Sequence, residues 1–414
     1  MNDIETRLKG TEIWQYPFRR QNPLEPAIEK TAILRSGSAQ LVRLYNGRKV
    51  WLVTKHTDVR KILSSRKVSN FVNHKALPKL SSLDGKGNDQ NPSFLHLDDP
   101  EHRRLRRPLT KFFTQQKAQE MRPVIDRVAK DLVTQLNTLD KPIDFVQHFA
   151  RPLPLAITCG LLGLPQEEEA FFTRSTLDSV NVKTDQEKKT EAVLGLRECI
   201  ASAIRERSKC LSSGGDINDT VIDHLLHNSE IEHNFEDLVS TVQVLLVGGL
   251  ETTTNALSLA VIHGSENPSS WANIAANPNL CQAFVEETFR FYTIFDIGLT
   301  RAVKADIELS CGSIIRSGDG VVVSLTAANR DPQVFNQPEL FDLDRNRCPH
   351  LAFGFGPHFC IGHNLARQTM QSALVILAKK LPALRVAVPL DAIVFSHEQP
   401  IFGPRELPIT WSKE

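Results

Sequence analysis

Apolar and polar positions alternate with a period of two near the start of the chain. They follow a helical period through the middle and return to short extended runs at the end. Leu41-Val42-Arg43-Leu44 and Val50-Trp51-Leu52-Val53 flank Asn46-Gly47, a pair suited to a tight reversal, so two strands are predicted there. Residues 55–66 predict a helix. Residues 73–93, rich in Pro, Gly, Ser and Lys, predict a long irregular loop of the kind that forms lids or binding segments. From Pro100 to Gly264 helical spacing dominates, with breaks at Pro108, at Gly163-Leu164-Pro165 and at Ser212-Ser213-Gly214-Gly215. Asn234 stands where it can cap a helix running from Phe235 to about His263. The centre of that helix, Val244 to Leu250, is apolar all round, which places it inside the fold. Further on, Val303 to Leu309 and Val321 to Leu325 predict strands, and Arg385 to Val388, Ile393 to Phe395 and Ile409 to Trp411 a closing strand set. The predicted class is mainly α with a minor β portion: β-rich at about 40–55, 300–325 and 385–411, helical at about 100–295 and 360–381.

Composition narrows the function without naming it. At 414 residues the chain is long enough for two or three domains, or one large one with a subdomain. Hydrophobic residues make up 41% and charged residues 23%, which excludes disorder along the whole chain. The 49 basic and 48 acidic side chains nearly cancel, so a nucleic-acid partner is not expected. Cys159, Cys199, Cys210, Cys281, Cys311, Cys348 and Cys360 form an odd set without a CxxC pair, as reduced thiols in a cytoplasmic compartment would. The charged start, Met1 to Arg7, carries no readable secretory signal. No stretch approaches the roughly 18 apolar residues of a membrane span, so no transmembrane anchor is expected.

The candidate chemistry gathers in Phe353-Gly354-Phe355-Gly356-Pro357-His358-Phe359-Cys360-Ile361-Gly362-His363-Asn364-Leu365-Ala366-Arg367. Glycines on both sides of the cysteine let backbone approach a flat ligand closely. A periodic helix begins just after it, and a helix N-terminus favours the thiolate, the form that binds metal. Taken alone, Cys360 reads equally well as an inert cysteine in a Gly-rich turn. A zinc site built from Cys348, His350, His358, Cys360 and His363 fails on spacing, since it has only two sulfurs and none of the usual paired ligands.

Phe-Gly-x-Gly-x-His-x-Cys-x-Gly-x-x-Leu-Ala-Arg resembles the haem-thiolate signature of the cytochrome P450 family at every fixed position. The resemblance implies the P450 fold in a single domain, 1–414, with a long central helix crossing over haem b (iron protoporphyrin IX). It also implies that Cys360 is the axial metal ligand, with Phe353 and Gly354 beside the cofactor. Glu287-Thr288-Phe289-Arg290 is similar to the family's Glu-x-x-Arg pair. In many members an arginine just before the position of Phe341 joins it; Leu340 stands there in this chain, and Arg345 is the substitute. His102 and Arg106, one turn apart, together with Arg301 and His358, match the partners of the haem propionates. Gly248-Gly249-Leu250-Glu251-Thr252-Thr253 matches the oxygen-activation segment: Gly249 beside the cofactor, a local kink, Thr252 holding the bound oxygen and Glu251 relaying protons.

The implied activity is a monooxygenase that oxidises a small, mostly apolar organic molecule, in secondary or xenobiotic metabolism. It would use O2 and electrons from an external donor such as ferredoxin and ferredoxin reductase. Nitric oxide reduction, oxidative coupling without oxygen insertion, and a non-catalytic haem sensor are the alternatives; the Glu251–Thr252 pair speaks for oxygen activation. By family position the pocket draws on the 75–95 loop, residues 168–190, Leu246, Ile294 to Leu299 and Ile401-Phe402. Asp296 is expected to face solvent or a polar or cationic substrate group. Arg103, Arg104, Arg107 and Lys111 are expected to meet an acidic redox partner.

Overall fold

The structure, a computed structural model, describes residues 13–37, 39–80, 92–180, 184–227, 234–345, 348–397 and 399–412. Residues 81–91 of the predicted long loop and the charged start of the chain lie outside the described residues.

Helices dominate the middle of the chain. The ones that matter below are α1 (Ile28–Ser36), α2 (His56–Ser64), α3 (Glu101–Arg106), α4 (Pro152–Leu162), α5 (Gln186–Ser212), α6 (Phe235–Glu266), α7 (Leu280–Tyr292) and α8 (His363–Lys380). The strands are β1 (Trp14–Gln15), β2 (Gln40–Arg43), β3 (Lys49–Val53), β4 (Val68–Ser69), β5 (Ile143–Asp144), β6 (Leu299–Val303), β7 (Ile307–Glu308), β8 (Ile314–Ile315), β9 (Gly320–Val323), β10 (Arg385–Val386) and β11 (Pro408–Thr410).

The hairpin forms where Asn46-Gly47 placed it. Gly47 takes φ 81°, and β2 pairs antiparallel with β3, Val42 opposite Val50. The six-stranded sheet runs β1-β2-β3-β9-β6-β4, so β3 finds a parallel partner, β9, from far along the chain. The predicted strand at 303–309 is corrected in position. Pairing begins earlier, at Leu299, while Ile307–Glu308 belongs to a separate two-stranded hairpin with β8. Leu325 leaves the predicted strand for a helical turn, Leu325–Ala328, because the Ser324 hydroxyl accepts from the Ala327 N–H. In the closing set, β10 and β11 join β5; Phe395 makes only a single bridge, to Pro404.

The Asn234 side chain accepts the Asp237 N–H (2.7 Å) and starts α6, which runs unbroken for 32 residues, three beyond the predicted end. It packs against α4, α5, α7 and α8. By length and composition α6 could cross a membrane, contrary to the expectation from the sequence; 78% of its most apolar window is buried inside the protein. That is the setting of a core helix.

On α7, the Arg290 guanidinium donates to both carboxylate oxygens of Glu287 (2.6 and 2.8 Å), and Arg345 Nε reaches the same carboxylate at 3.3 Å. Arg345 thus completes the pair, and Leu340 contributes its carbonyl, which accepts from Arg290 at 2.8 Å. The Asp342 N–H also donates to Glu287, so this buried cluster ties the 338–345 segment to α7. Breaking a buried ion pair strands its partner, so Glu287→Gln is expected to lower unfolding free energy by about 3–5 kcal/mol in urea titration.

Candidate active site

The loop before α8 owes its shape to its glycines. Gly356 takes φ 76°, and a Cβ there would lie 2.4 Å from the Leu63 carbonyl oxygen on α2, so no larger residue fits. Gly354 also takes a positive φ, 72°. The Cys360 N–H donates to the Phe353 carbonyl (2.9 Å), which closes the loop and leaves the half-buried sulfur on a cavity wall three residues before α8 begins. Burial pushes the Cys360 thiol up, although the Gly362 N–H, Arg106 and Arg367 pull it down. The backbone at the helix start thus favours the thiolate, as the sequence had implied, against the cost of burial; a metal cation at the sulfur would add to that pull.

Arg367 holds the loop from behind. Its guanidinium lies 4.5 Å over the Phe353 ring and pairs with Glu286 (2.5 and 3.0 Å), which His350 also meets at 3.2 Å. Burial would raise the Glu286 carboxyl, yet hydrogen bonds and charge from His350 and Arg367 bring it down to about 2. A depressed carboxyl contributes stability above its unfolded value, 4.5, and loses it as pH falls through about 2. Between those pH values, wild type is expected to lose more unfolding free energy than Glu286→Gln. Parallel acid profiles would remove this pair from the account.

The cavity holds about 550 Å³ and its wall is mostly apolar. Cys360, Phe353, Gly354 and His358 line it from the loop, and Leu245, Gly248, Gly249, Thr252 and Thr253 from α6. Gly249 is needed for helix contact as well, since a Cβ would come 2.8 Å from Thr158 Oγ1 on α4. The Thr252 hydroxyl donates to the Gly248 carbonyl (2.6 Å), inside continuous helix, where the sequence predicted a kink. Glu251 is buried off the wall and meets Arg151 at 3.3 Å; burial raises its carboxyl although Arg151 opposes this.

Three cationic or potentially cationic side chains sit on the same wall: Arg106, Arg301 and His358. His102 stands behind them, off the wall, its ring 4.2 Å from that of His358 and its Nδ1 3.1 Å from Asp99. His102 Nε2 and His358 Nδ1 are buried without a hydrogen-bond partner. Burial lowers Arg301 to about 10 and, aided by the charges of Arg301, His102 and Arg106, lowers His358 to about 3. The guanidiniums of half-buried Arg106 and buried Arg301 call for anions, and the two orphaned imidazole nitrogens for hydrogen-bond partners. The two carboxylates of a haem would meet that requirement, and Gly354 and Gly248 leave the wall without a side chain where its ring would lie beside the Cys360 sulfur. The residues present fit the group.

Several expectations are corrected. Leu246 is buried in the core, and its neighbours Val244 and Leu245 face the cavity instead. Among the described residues, none of 168–190 lines it. Pro400 replaces Ile401 and Phe402, whose ring packs against Phe395. Asp296 meets neither solvent nor the cavity; it is 2% exposed and paired with Arg20 and Lys30. Sequence reasoning missed Thr158 and Arg151, which no motif marks and which only helix packing brings to Gly249 and Glu251.

Comparisons with known proteins agree with this geometry. The family model of cytochrome P450 matches residues 34–173 and 166–411. Cytochrome P450-SU2 of Streptomyces griseolus is 36% identical over 389 residues, 94% of each chain. The 20-oxo-5-O-mycaminosyltylactone 23-monooxygenase of Streptomyces fradiae is 32% identical over 96% of this chain and 92% of its own. Among solved structures, the mycinamicin VIII C21 methyl hydroxylase of Micromonospora griseorubida, bound to mycinamicin VIII, superposes with a TM-score of 0.89. It is 32% identical, covering 96% of this chain and 100% of that one. With a glycine-shaped cysteine loop and a cavity lined by guanidiniums on one side, and these relatives on the other, the chain belongs to the cytochrome P450 family and is one of its monooxygenases.

Proposed function

We propose that the whole chain, 1–414, works as one domain. It would hold haem b through the Cys360 thiolate and hydroxylates a small, mostly apolar organic molecule with O2 and electrons from a ferredoxin system. One observation carries the reading: the Cys360 sulfur, the cations short of anions and the Thr252 hydroxyl all line a single apolar cavity. When bound, haem supplies dioxygen activation and the oxidising power for oxygen insertion.

The chain's own residues supply the rest. Arg106, Arg301 and His358 would hold the propionates, with His102 setting the His358 ring from behind. Gly249, Phe353 and Gly354 bound the space beside the sulfur. Thr252 Oγ1 is oriented by the Gly248 carbonyl, so it can accept and pass on a proton inside the cavity. Burial raises the Glu251 carboxyl against the pull of Arg151, and Glu251, next to Thr252 in the chain, would relay protons toward that hydroxyl. The apolar wall keeps bulk water out. The relatives named for a tylactone derivative and for mycinamicin VIII act on organic secondary metabolites, a substrate class that such a lining suits. The free cysteines accord with a cytoplasmic location.

Arg103 and Arg104 are exposed and already paired, with Asp99 (2.8 Å) and Asp237 (3.0 Å). Arg107 and Lys111 are exposed beside them. Reversing the charge at Arg103 and Arg104 is expected to slow reduction by ferredoxin and flatten its salt dependence. Unchanged stopped-flow kinetics would remove the basic face from the reading. The function itself is tested with isotopically labelled dioxygen and a reconstituted ferredoxin system. One labelled oxygen atom in the product is expected; product formed without label would replace hydroxylation with oxidative coupling.

A further inference from the structure

Residues 293–301 form one continuous part of the cavity wall, with a single interruption: every one of them faces the cavity except Asp296. That carboxylate turns outward into the protein. Lys30 Nζ on α1 lies 2.8 Å from its Oδ1 and also donates to the Asp296 carbonyl, and Arg20 Nε lies 3.2 Å from the same Oδ1. Lys30 is 0% exposed and Arg20 3%. Arg20 also donates to the carbonyls of Tyr292 (3.2 Å) and Thr293 (3.4 Å), and the Tyr16 hydroxyl donates to the Ile297 carbonyl (2.9 Å). The Arg20 guanidinium rests 4.0 Å over the Phe402 ring, and the Phe402 N–H donates to the Ile294 carbonyl (2.7 Å).

This wall has no regular structure to hold it between α7 and β6. Thr293 takes φ 37°, an unfavourable value for a β-branched residue. Gly298 takes φ 75°, and a Cβ there would lie 2.5 Å from the Val323 carbonyl oxygen. A strained segment persists only where its surroundings determine it from several sides. Here the Asn329 amide on the Thr293 hydroxyl and the Phe402 N–H on the Ile294 carbonyl hold part of the segment, and residues 16–30 supply the only charged contacts described, on the side away from the cavity. An apolar cluster of the same volume could hold two segments together with similar stability, but it would tolerate sliding. A carboxylate that must meet two buried cations does not slide. Burial would raise the Asp296 carboxyl, and Arg20 and Lys30 bring it below its usual value.

We infer that Asp296, Arg20 and Lys30 are positioning residues that set the shape of the 293–299 wall and so select the substrate, although none of the three touches it. The inference rests on reading the cavity as the haem and substrate site. Its test uses azole probes on the haem-loaded enzyme. Imidazole is small and reports the metal face alone, whereas 4-phenylimidazole must also fit its ring against the wall. Wild type lacking a thiolate-type spectrum would refute the proposed function before any variant is compared.

Asp296→Asn keeps the shape and removes the charge. Lys30→Met removes one cation, fills the same buried space and leaves the Arg20–Asp296 pair to hold the fold. In both variants the thiolate-type spectrum and imidazole affinity should match wild type. Affinity for 4-phenylimidazole should fall about tenfold, the effect of losing about one methylene of fit. Equal losses for both azoles, or losses for neither, would overturn the inference. Loss of the thiolate-type spectrum in Lys30→Met would also overturn it, by showing that the trio supports the haem face and not the substrate wall.

Discussion

Cys360→Ser is expected to abolish the red-shifted absorption band of the reduced carbon monoxide complex, and monooxygenase activity with it. A serine hydroxyl stays protonated where a thiol bound to a metal would ionise, so the electron density that a thiolate would supply is lost. Cys348→Ser is the control, twelve residues earlier in the chain. The Cys348 sulfur is half-buried, 3.9 Å from Glu287, and burial and the Glu287 charge push its thiol up to about 12. It does not line the cavity. The Cys348 variant should therefore keep the band and turn over substrate. A spectrum lost in the Cys348 variant and kept in the Cys360 variant would reverse the assignment.

Thr252→Ala should leave folding, haem content and substrate binding close to wild type while product formation drops. Losing one well-placed proton-transfer group lowers rate by on the order of 10²–10⁴, and electrons should still be consumed, appearing as hydrogen peroxide. Thr253 lines the same wall and can restore part of the loss. Glu251→Gln should slow turnover with less leakage to peroxide, because it interrupts proton supply upstream of the hydroxyl. The competing view makes Thr252 a helix residue whose hydroxyl only satisfies the Gly248 carbonyl. That view predicts lower thermal stability with unchanged coupling. Peroxide formed per nicotinamide consumed is the deciding measurement. Full coupling in Thr252→Ala would mean that the hydroxyl has no part in proton delivery.

What the sequence determined by itself was local. The Asn46-Gly47 hairpin, the Asn234 cap and the closure of the cysteine loop by the Cys360 N–H on the Phe353 carbonyl each depend on backbone angles and hydrogen bonds within a few residues. The spacing of Cys360 from its glycines, and of Glu287 from Arg290, could be read because one turn or one loop brings those groups together. Tertiary structure alone decided everything that depends on a partner far along the chain. β9 pairs with β3 although about 270 residues lie between them, and Ile143–Asp144, which no alternation marked, became a strand because β11 reached it. Arg151 meets Glu251 and Thr158 limits Gly249 only because α4 lies against α6. Asp296 shows the difference most clearly. By sequence it was a lone acid among cavity-lining residues, free to face solvent or substrate. A charge can be buried only beside its counter-charges, and Lys30 and Arg20, more than 260 residues earlier, were the ones the fold placed there.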